Sequence, residues 1–308
     1  MTLTRLLATA GIATALLAGP TFAQDTLRFA VVPKAMNNPF FDFARDGCEA
    51  RAAELGGIEC IYIGPVEHEP ATQAQIIEDL ITQGVDGLAI SVADEAAATT
   101  VIQRAIEAGI PVITFDSDAP DSGRTAYIGT NNYDFGHALG DMLLQLKPEG
   151  GTYGMISGGA AAPNLADRVQ GVRDALAGSD WTEVDGSPMF CNDDSALAVQ
   201  QANDLVTANP DIGAIVPVGG WPMFAPDGWK NFVDNAPDTV ELVVADTLPS
   251  QLEMLGEGYA DALVGQRPYE EGVVAMDTLL AIHNGEAVDE IIYTGLDLVT
   301  PENLADFM

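Results

Sequence analysis

The stretch LRFAVVPKAMNNPFF, residues 27–41, decides the fold. It begins with the apolar, β-rich run Leu27–Val32, which predicts a buried strand, and passes through a polar turn into a helical pattern. Turns at the carboxyl ends of strands are where open α/β sheets bind ligands. This turn places the amides of Asn37 and Asn38 beside the flat rings of Phe40 and Phe41. Such a combination suits a ligand that has an apolar face and a rim of hydroxyl groups, as a sugar has.

The same alternation continues along the chain. Apolar runs predict further strands at Cys60–Ile63, Gly87–Ile90, Val112–Phe115, Thr152–Ile156, Ile212–Val218 and Leu242–Ala245. Helical patterns lie between them at Phe41–Leu55, Thr72–Gln83, Glu95–Ala108, Phe135–Leu146, Ala166–Ala177, Leu197–Ala208 and Glu270–His283. Strands separated by helices predict an α/β protein with parallel sheets flanked by helices on both faces. The order repeats in two halves, each of which ends a buried strand in an aspartate, and this predicts two similar lobes.

Residues 1–23 have the features of an export leader. Arg5 gives a basic start, Leu6–Ala18 an apolar run, and Thr21–Ala23 a cleavage site for cutting after Ala23. The apolar run is about half of the ~20 residues that span a bilayer, and no later run is long enough. We therefore expect a periplasmic protein that is not embedded in the membrane, with an uncleaved N-terminal anchor as the alternative.

The chain is strongly acidic, with 46 Asp and Glu against 12 Lys and Arg and a formal net charge of −34. Nucleic-acid binding requires basic surface, so we expect no nucleic-acid partner. An acidic surface keeps a protein soluble, and here it favours a monomer. It says little about the ligand.

The three cysteines allow one disulfide in an oxidising compartment. Cys48 falls in the first helix and Cys60 at the next strand, and closing this loop would contribute roughly 3 kcal/mol by the loop-entropy model. Two free buried thiols remain the alternative, and Cys191 has no obvious partner. There is no CxxC motif and no Cys/His cluster, so neither a redox site nor zinc is predicted.

Nothing in the sequence predicts an enzyme or a cofactor. His68, His137 and His283 are far apart, and the nucleophile, phosphate-loop and HExxH motifs are absent. The run Asp116–Asp121 alternates like a calcium loop but lacks the glycine and the distal glutamate that such a loop needs. We predict no metal site.

Polar, glycine and aromatic residues cluster at predicted strand ends and nearby turns. In a parallel sheet these ends share one edge and can converge on a cleft. The predicted ligand-binding residues are Lys34, Asn38, Phe40, Phe41, Ser91, Asp116, Ser117, Asn164, Arg168, Asp193, Gly219, Trp221, Asp246 and Gln266. Carboxylates would accept hydrogen bonds from hydroxyls, amides and cations would donate, and rings would stack on C–H faces.

Some of these residues have structural alternatives. An Asp or Asn before a helix is often only a helix N-cap. We predict that role for Asp94, leave it open for Asp194, and favour ligand binding for Asp116 and Asp246. Lys34 is predicted to contact the ligand, with a counter-ion for Asp116 or Asp118 as the alternative.

Five motifs resemble the ribose-type family of periplasmic sugar-binding proteins, the receptors of ABC importers. They are Asn37–Phe41, Ile110–Asp116, Asn164–Gly171, Val243–Asp246 and Gln266. The resemblance covers nearly the whole chain after the leader.

The resemblance implies two Rossmann-like lobes joined by a three-segment hinge, with crossings near 129–131, 266–267 and 294–296. The lobes would be residues 24–129 plus 267–294 and residues 130–266 plus 295–308. It also implies that Asn38, Phe40, Phe41, Ser91, Asp116, Asp246 and Gln266 line the sugar site.

Departures from the ribose binders leave the sugar open. Ser117 stands where they commonly carry Arg, Gly219–Trp221 replaces an Asn-Asp pair, and Ala245 replaces an aromatic residue. Lys34 and the Asp-Ser-Asp run look more like the branch with rhamnose and autoinducer-2 receptors, although Asn164 replaces the Asp common there.

The resemblance implies that the chain binds a monosaccharide, deoxysugar or polyol and delivers it to a permease. The alternatives are a receptor that presents an autoinducer-2-like signal to a membrane sensor, the effector domain of a repressor, or an exported enzyme.

Overall fold

The computed structural model describes residues 26–308, so the predicted leader lies outside the described residues. The strands are β1 Leu27–Val32, β2 Ile58–Tyr62, β3 Gly87–Ile90, β4 Val112–Phe115, β5 Ala126–Gly129, β6 Gly151–Ser157, β7 Trp181–Glu183, β8 Met189–Phe190, β9 Ala214–Pro217, β10 Glu241–Ala245, β11 Ala262–Gly265, β12 Ile291–Tyr293 and β13 Asp297–Val299. The helices are α1 Pro39–Leu55, α2 Pro70–Gln83, α3 Glu95–Glu107, α4 Asn132–Leu146, α5 Pro163–Leu176, α6 Ser195–Ala208, α7 Pro226–Asn235, α8 Pro249–Gly256 and α9 Pro268–His283. The predicted α/β class is confirmed.

The strands form two separate sheets, one in each lobe. The first has the order β12-β5-β4-β3-β1-β2, with every neighbouring pair parallel. The second has the order β13-β11-β10-β9-β6-β7, with β8 also paired to β6, and only β13 runs antiparallel. The chain passes between the sheets three times: after β5, after β11, and between β12 and β13. Both lobes thus have their own core.

Each sheet is buried under helices on both faces. In the first lobe, one apolar cluster packs α2 and α3 on one face and another packs α1 and α9 on the opposite face. In the second lobe a single large cluster surrounds the sheet, and Trp229 is fully buried in it. Because both faces are covered, the central strands have no solvent-facing side, which explains the continuous apolar runs in the sequence.

Two helix pairs pack unusually closely through glycines. In the first lobe α1 and α9 approach so closely that a methyl group on Gly47 or Gly272 would collide with the backbone of the facing helix. In the second lobe α4 and α5 meet in the same way at Gly136 and Gly171. The short distance between the helices requires these glycines. Their backbone angles are helical, so a left-handed conformation is not the reason for glycine here.

The sequence did not predict several short elements, namely β5, β7, β8, β12, β13, α7 and α8, and of β11 it indicated only the run Ala262–Val264 before Gln266. Each of these strands has at most four residues, and the two helices have ten and eight residues. Elements this short carry too few residues for a clear period. The predicted longer elements are all present, and their observed bounds differ by a few residues.

Cys48 and Cys60 are joined by a disulfide that ties α1 to β2, and their Cα atoms are 6.0 Å apart. Cys191 is free and buried. Within residues 26–308 no helix is long and apolar enough to cross a membrane.

Candidate functional site

A small polar cavity lies between the two lobes, where the carboxyl ends of both sheets face each other. Its volume is about 20 Å³, room for about one water molecule, so the two lobes meet closely here. It is lined by Lys34, Asn38, Phe40, Phe41, Asp116, Asn164, Leu165, Arg168, Asp193, Gly219, Gly220, Trp221, Asp246 and Gln266. The charged, amide and aromatic lining, rather than the size of the gap, suits a small hydroxylated ligand.

The turn before α1 supplies an amide and two rings to this cavity. Asn38 is the N-cap of α1, and its Oδ1 accepts a hydrogen bond from the backbone N–H of Phe40 at 3.0 Å. Pro39 at the first helical position suits this start, because its missing N–H would have no helical partner. The cap leaves Nδ2 of Asn38 free to point across the cleft, where it donates to Asp193 at 3.3 Å. Asn38 therefore serves as both cap and cavity wall.

Asp116 follows β4 and is held by groups from both lobes. Its carboxylate lies 3.0 Å from Nζ of Lys34, and it accepts hydrogen bonds from Ser91 Oγ at 2.6 Å and Asn164 Nδ2 at 3.2 Å. Lys34 also donates to Oδ1 of Asn164 at 3.3 Å. Lys34 is thus the counter-ion of Asp116, and this pairing does not remove it from the cavity wall. Asp118 instead pairs with Arg124 at 2.6 Å.

Asp246 follows β10 in the second lobe, and its hydrogen-bond donors among residues 26–308 are neutral. It accepts hydrogen bonds from the N–H of Gly220 at 3.0 Å and from Nε2 of Gln266 at 2.8 Å. Burial raises the pKa of the Asp246 carboxyl, although the charge of Arg168 and the bond from Gln266 oppose this. A carboxylate without a direct cationic partner can accept additional hydrogen bonds from a ligand.

Arg168 is the buried cation of the second lobe. Its guanidinium donates to Asn132 Oδ1 at 2.8 Å, to the carbonyl of Val218 at 3.1 Å and to Gln266 Oε1 at 2.7 Å. It also stacks over the ring of Phe135, 4.3 Å from the ring centre. Since Gln266 bonds Arg168 through one side-chain atom and Asp246 through the other, it links the two charges.

Asp193 closes the remaining side of the cavity. Its Oδ1 accepts hydrogen bonds from Trp221 Nε1 at 2.7 Å and from Asn38 across the cleft. Burial acts to raise the pKa of Asp193, but the contact with His68 and the positive charge of Lys34 outweigh it, and the pKa lies below its ordinary value. The indole ring of Trp221, which is 4% exposed, is thereby fixed against the cavity.

Backbone strain is concentrated at this site. Among the described residues, four that are not glycine have φ between 50° and 73°: Asp116, Asn192, Asp193 and Asp246. Three of these line the cavity. A non-glycine residue in this region costs about 1–3 kcal/mol and persists only where the surroundings impose it. At Asp116, Asp193 and Asp246 this backbone conformation accompanies a carboxylate that lines the cavity.

Two of the fourteen residues predicted from the sequence do not line the cavity. Ser91 lies behind Asp116 and bonds it, and the hydroxyl of Ser117 is buried without a hydrogen-bond partner. Leu165 and Gly220 do line it and were not among the predicted residues.

Two residues that support the cavity lining were also not predicted. Asn132 accepts a hydrogen bond from Arg168, and His68 contacts Asp193. His68 follows β2, so the strand-end rule that selected the others could have found it.

Within residues 26–308 no group of three or more His, Cys, Asp or Glu side chains is arranged to hold a metal ion. Asp94 and Asp194 each cap a helix by accepting a backbone hydrogen bond, from Ala97 and Leu197 respectively. Neither of these two side chains lines the cavity.

Comparison with known proteins agrees with this geometry. A family model described as a periplasmic binding protein domain matches residues 29–287. The ribose import binding protein RbsB of Escherichia coli is 26% identical over 280 residues, which cover 91% of this chain and 92% of RbsB. An ABC transporter solute-binding protein of Burkholderia graminis in complex with D-arabinose is 32% identical, with a TM-score of 0.84 and coverage of 91% and 97%. One of Agrobacterium vitis with bound D-fucose is 26% identical, with a TM-score of 0.83 and coverage of 90% and 96%.

Proposed function

Because this chain belongs to the periplasmic binding protein family, we propose that it captures a monosaccharide, deoxysugar or polyol between its lobes and delivers it to the permease of an ABC importer. One observation carries the proposal. Three buried aspartates, two cations, three amides and three aromatic rings from both lobes surround one small cavity. One relative of similar length is named as a ribose import binding protein, and two solute-binding proteins of similar length were solved with D-arabinose and with D-fucose.

The proposed roles follow from the chemistry of each group. Asp116, Asp193 and Asp246 accept hydrogen bonds from sugar hydroxyls. Lys34 and Arg168 donate to hydroxyl or ring oxygens, as do the side-chain amides at the cavity wall. Hydrogen bonds to charged groups contribute about 1.5–3 kcal/mol each, so a few of them give a tight complex. The rings of Phe40, Phe41 and Trp221 cover the C–H faces of the sugar.

Capture would occur by closure of two lobes around the sugar. The proposed lobes are residues 24–129 plus 267–294 and residues 130–266 plus 295–308, with hinge segments near 129–131, 266–267 and 294–296. The passages of the chain between the two sheets support this division. Closure is favoured only by the contacts that the second lobe adds to a ligand bound on the first.

A thermal-shift panel of pentoses, hexoses, deoxysugars and polyols tests the proposal. A sugar at 100 times its dissociation constant should add about 2.7 kcal/mol to the free energy of unfolding. Solution scattering on the same samples should show a smaller radius of gyration with a binding sugar, and no change with a non-binding one. A panel without any shift would contradict sugar binding.

Turnover, oligomeric state and export complete the proposal. The relatives are named as import or solute-binding proteins, and we propose binding without turnover for this chain as well. We also propose a monomer in the periplasm, exported by the leader at residues 1–23. Light scattering after size-exclusion chromatography tests the monomer, and N-terminal sequencing of the exported protein tests cleavage after Ala23.

A further inference from the structure

His68 reaches from one lobe to the other. It lies in the segment between β2 and α2 of the first lobe, and its side chain is only 6% exposed. Its Nδ1 is 3.2 Å from Oδ2 of Asp193, which lies between β8 and α6 of the second lobe. The two atoms are poorly aligned for a hydrogen bond, and among residues 26–308 neither has another hydrogen-bond partner. A modest movement of the ring or of the lobes would complete the bond.

The contact acts on the cavity through Asp193. His68 does not line the cavity, whereas Asp193 does. Oδ1 of Asp193 holds Trp221 and Asn38, so Oδ2 is the oxygen that His68 can fix. A carboxylate fixed at both oxygens presents its free lone pairs to the cavity in one orientation.

The opposite edge of the imidazole ring rests on Gly159 of the second lobe. The three heavy atoms nearest to a methyl group built on Gly159 all belong to His68; Cε1 would lie 2.7 Å away and Nε2 closer still. The backbone of Gly159 is outside the left-handed region. The backbone angle of Gly159 therefore does not oppose an alanine, and the nearest obstacle to its methyl group is the histidine of the other lobe.

We propose that His68 is a positioning residue that latches the closed cleft by fitting between Asp193 and Gly159. This inference rests on the proposed ligand binding. The latch exists only when the lobes meet, so it slows the escape of a bound sugar and leaves the capture rate nearly unchanged. It also fixes Asp193, and with it the ring of Trp221, against the ligand.

The test compares His68→Ala, Gly159→Ala and the double variant with the parent protein. D-arabinose serves as the probe, or, if it gives no thermal shift, the panel sugar with the largest shift. Stopped-flow fluorescence measures binding and release rates. We expect each single variant to raise the release rate about 3- to 10-fold, the effect of losing roughly one hydrogen bond, while the binding rate changes less than about twofold.

The double variant gives the decisive readout. Alanine at 159 harms the closed state only by displacing the imidazole, so the double variant should release sugar no faster than His68→Ala alone. His68→Gln, which keeps a donor, should recover part of the loss, and His283→Ala, at an exposed histidine, should behave like the parent. Thermal midpoints without sugar should be equal for the parent and Gly159→Ala.

Two outcomes would overturn the latch while sugar binding stands: unchanged release rates in both single variants, or a double variant whose effect is the product of the two single effects. If no panel sugar shifts the parent, the proposed function fails and the latch fails with it.

Discussion

Asp116 and Asp246 occupy matching positions in the two lobes. Each is the residue directly after a buried strand, β4 or β10, each has a left-handed backbone with φ of 57° or 73°, and each is 4% exposed. They differ in their partners. Asp116 has the cation Lys34 at 3.0 Å, whereas the hydrogen-bond donors to Asp246 within residues 26–308 are neutral.

This pair predicts how binding depends on each lobe. Asp116→Asn and Asp246→Asn should each weaken sugar binding about 10- to 100-fold, because a charge-assisted hydrogen bond contributes about 1.5–3 kcal/mol. Titration calorimetry measures the loss. Asp94→Asn is the matched control, since asparagine caps a helix as well as aspartate does. If both site variants bound sugar as tightly as the parent, these two carboxylates would not contact the sugar.

The close approach of α1 and α9 predicts a large effect of one methyl group. Gly272→Ala should destabilise the protein by about 1–3 kcal/mol or more, because the new methyl group would overlap the carbonyl of Ala44 and force the helices apart. Chemical denaturation measures this change.

A second glycine supplies the control with the opposite sign. Gly228 lies in α7, and a methyl group there would meet only the side chain of Val199 at 3.4 Å or more. Gly228→Ala should stabilise the protein by up to about 1 kcal/mol through helix propensity. If both substitutions had the same effect, helix–helix distance would not explain the glycine at 272.

Glu271 predicts an unusual pH dependence of stability. It is fully buried, and within the part of the chain that the structure describes neither of its carboxylate oxygens has a hydrogen-bond partner. Burial, together with the charge of Asp116, raises the pKa of Glu271 well above its ordinary value. The folded protein therefore keeps a proton that the unfolded chain releases above its own pKa, and folding is penalised progressively as the pH rises between the unfolded and folded pKa values.

Glu271→Gln removes this penalty. Its stability relative to the parent should rise by up to about 1.4 kcal/mol per pH unit above about pH 4.3, and level off above the folded pKa. Urea denaturation across the pH range measures the difference, and Glu270→Gln, at the exposed neighbouring position, is the control. A difference that is independent of pH would mean that Glu271 ionises normally.

The disulfide predicts a loss of stability without a loss of binding. Replacing Cys48 and Cys60 with serine should lower the free energy of unfolding by roughly 3 kcal/mol, because the 12-residue loop is then open in the unfolded chain. Neither residue lines the cavity, so sugar affinity should stay within about twofold.

Thiol counting without reductant checks the same assignment. The native protein should show almost no reactive thiol, because burial raises the pKa of the Cys191 thiol and shields it. Denatured protein should show one thiol, and a count of three would disprove the disulfide.

The sequence alone determined the α/β class, the order of the longer elements and most residues of the cavity. It could do so because continuous apolar runs, helical periods and polar strand ends are local signals, and parallel strands place their carboxyl ends together. Asp116 and Gln266 were predicted on these grounds and line the cavity.

Only the tertiary structure decided which groups meet across the cleft and which stay behind it. Ser91 donates a hydrogen bond to Asp116 from outside the cavity, and His68 contacts an aspartate 125 positions further along the chain. Glu271 is fully buried where the charges of Asp116 and Asp246, one from each lobe, act on it. These relations depend on how two separate sheets face each other. Hydrophobic periodicity and turn chemistry are local signals, and they do not give the distance between side chains of different lobes. The left-handed backbone of three aspartates has the same origin, because it is imposed by the packing around them.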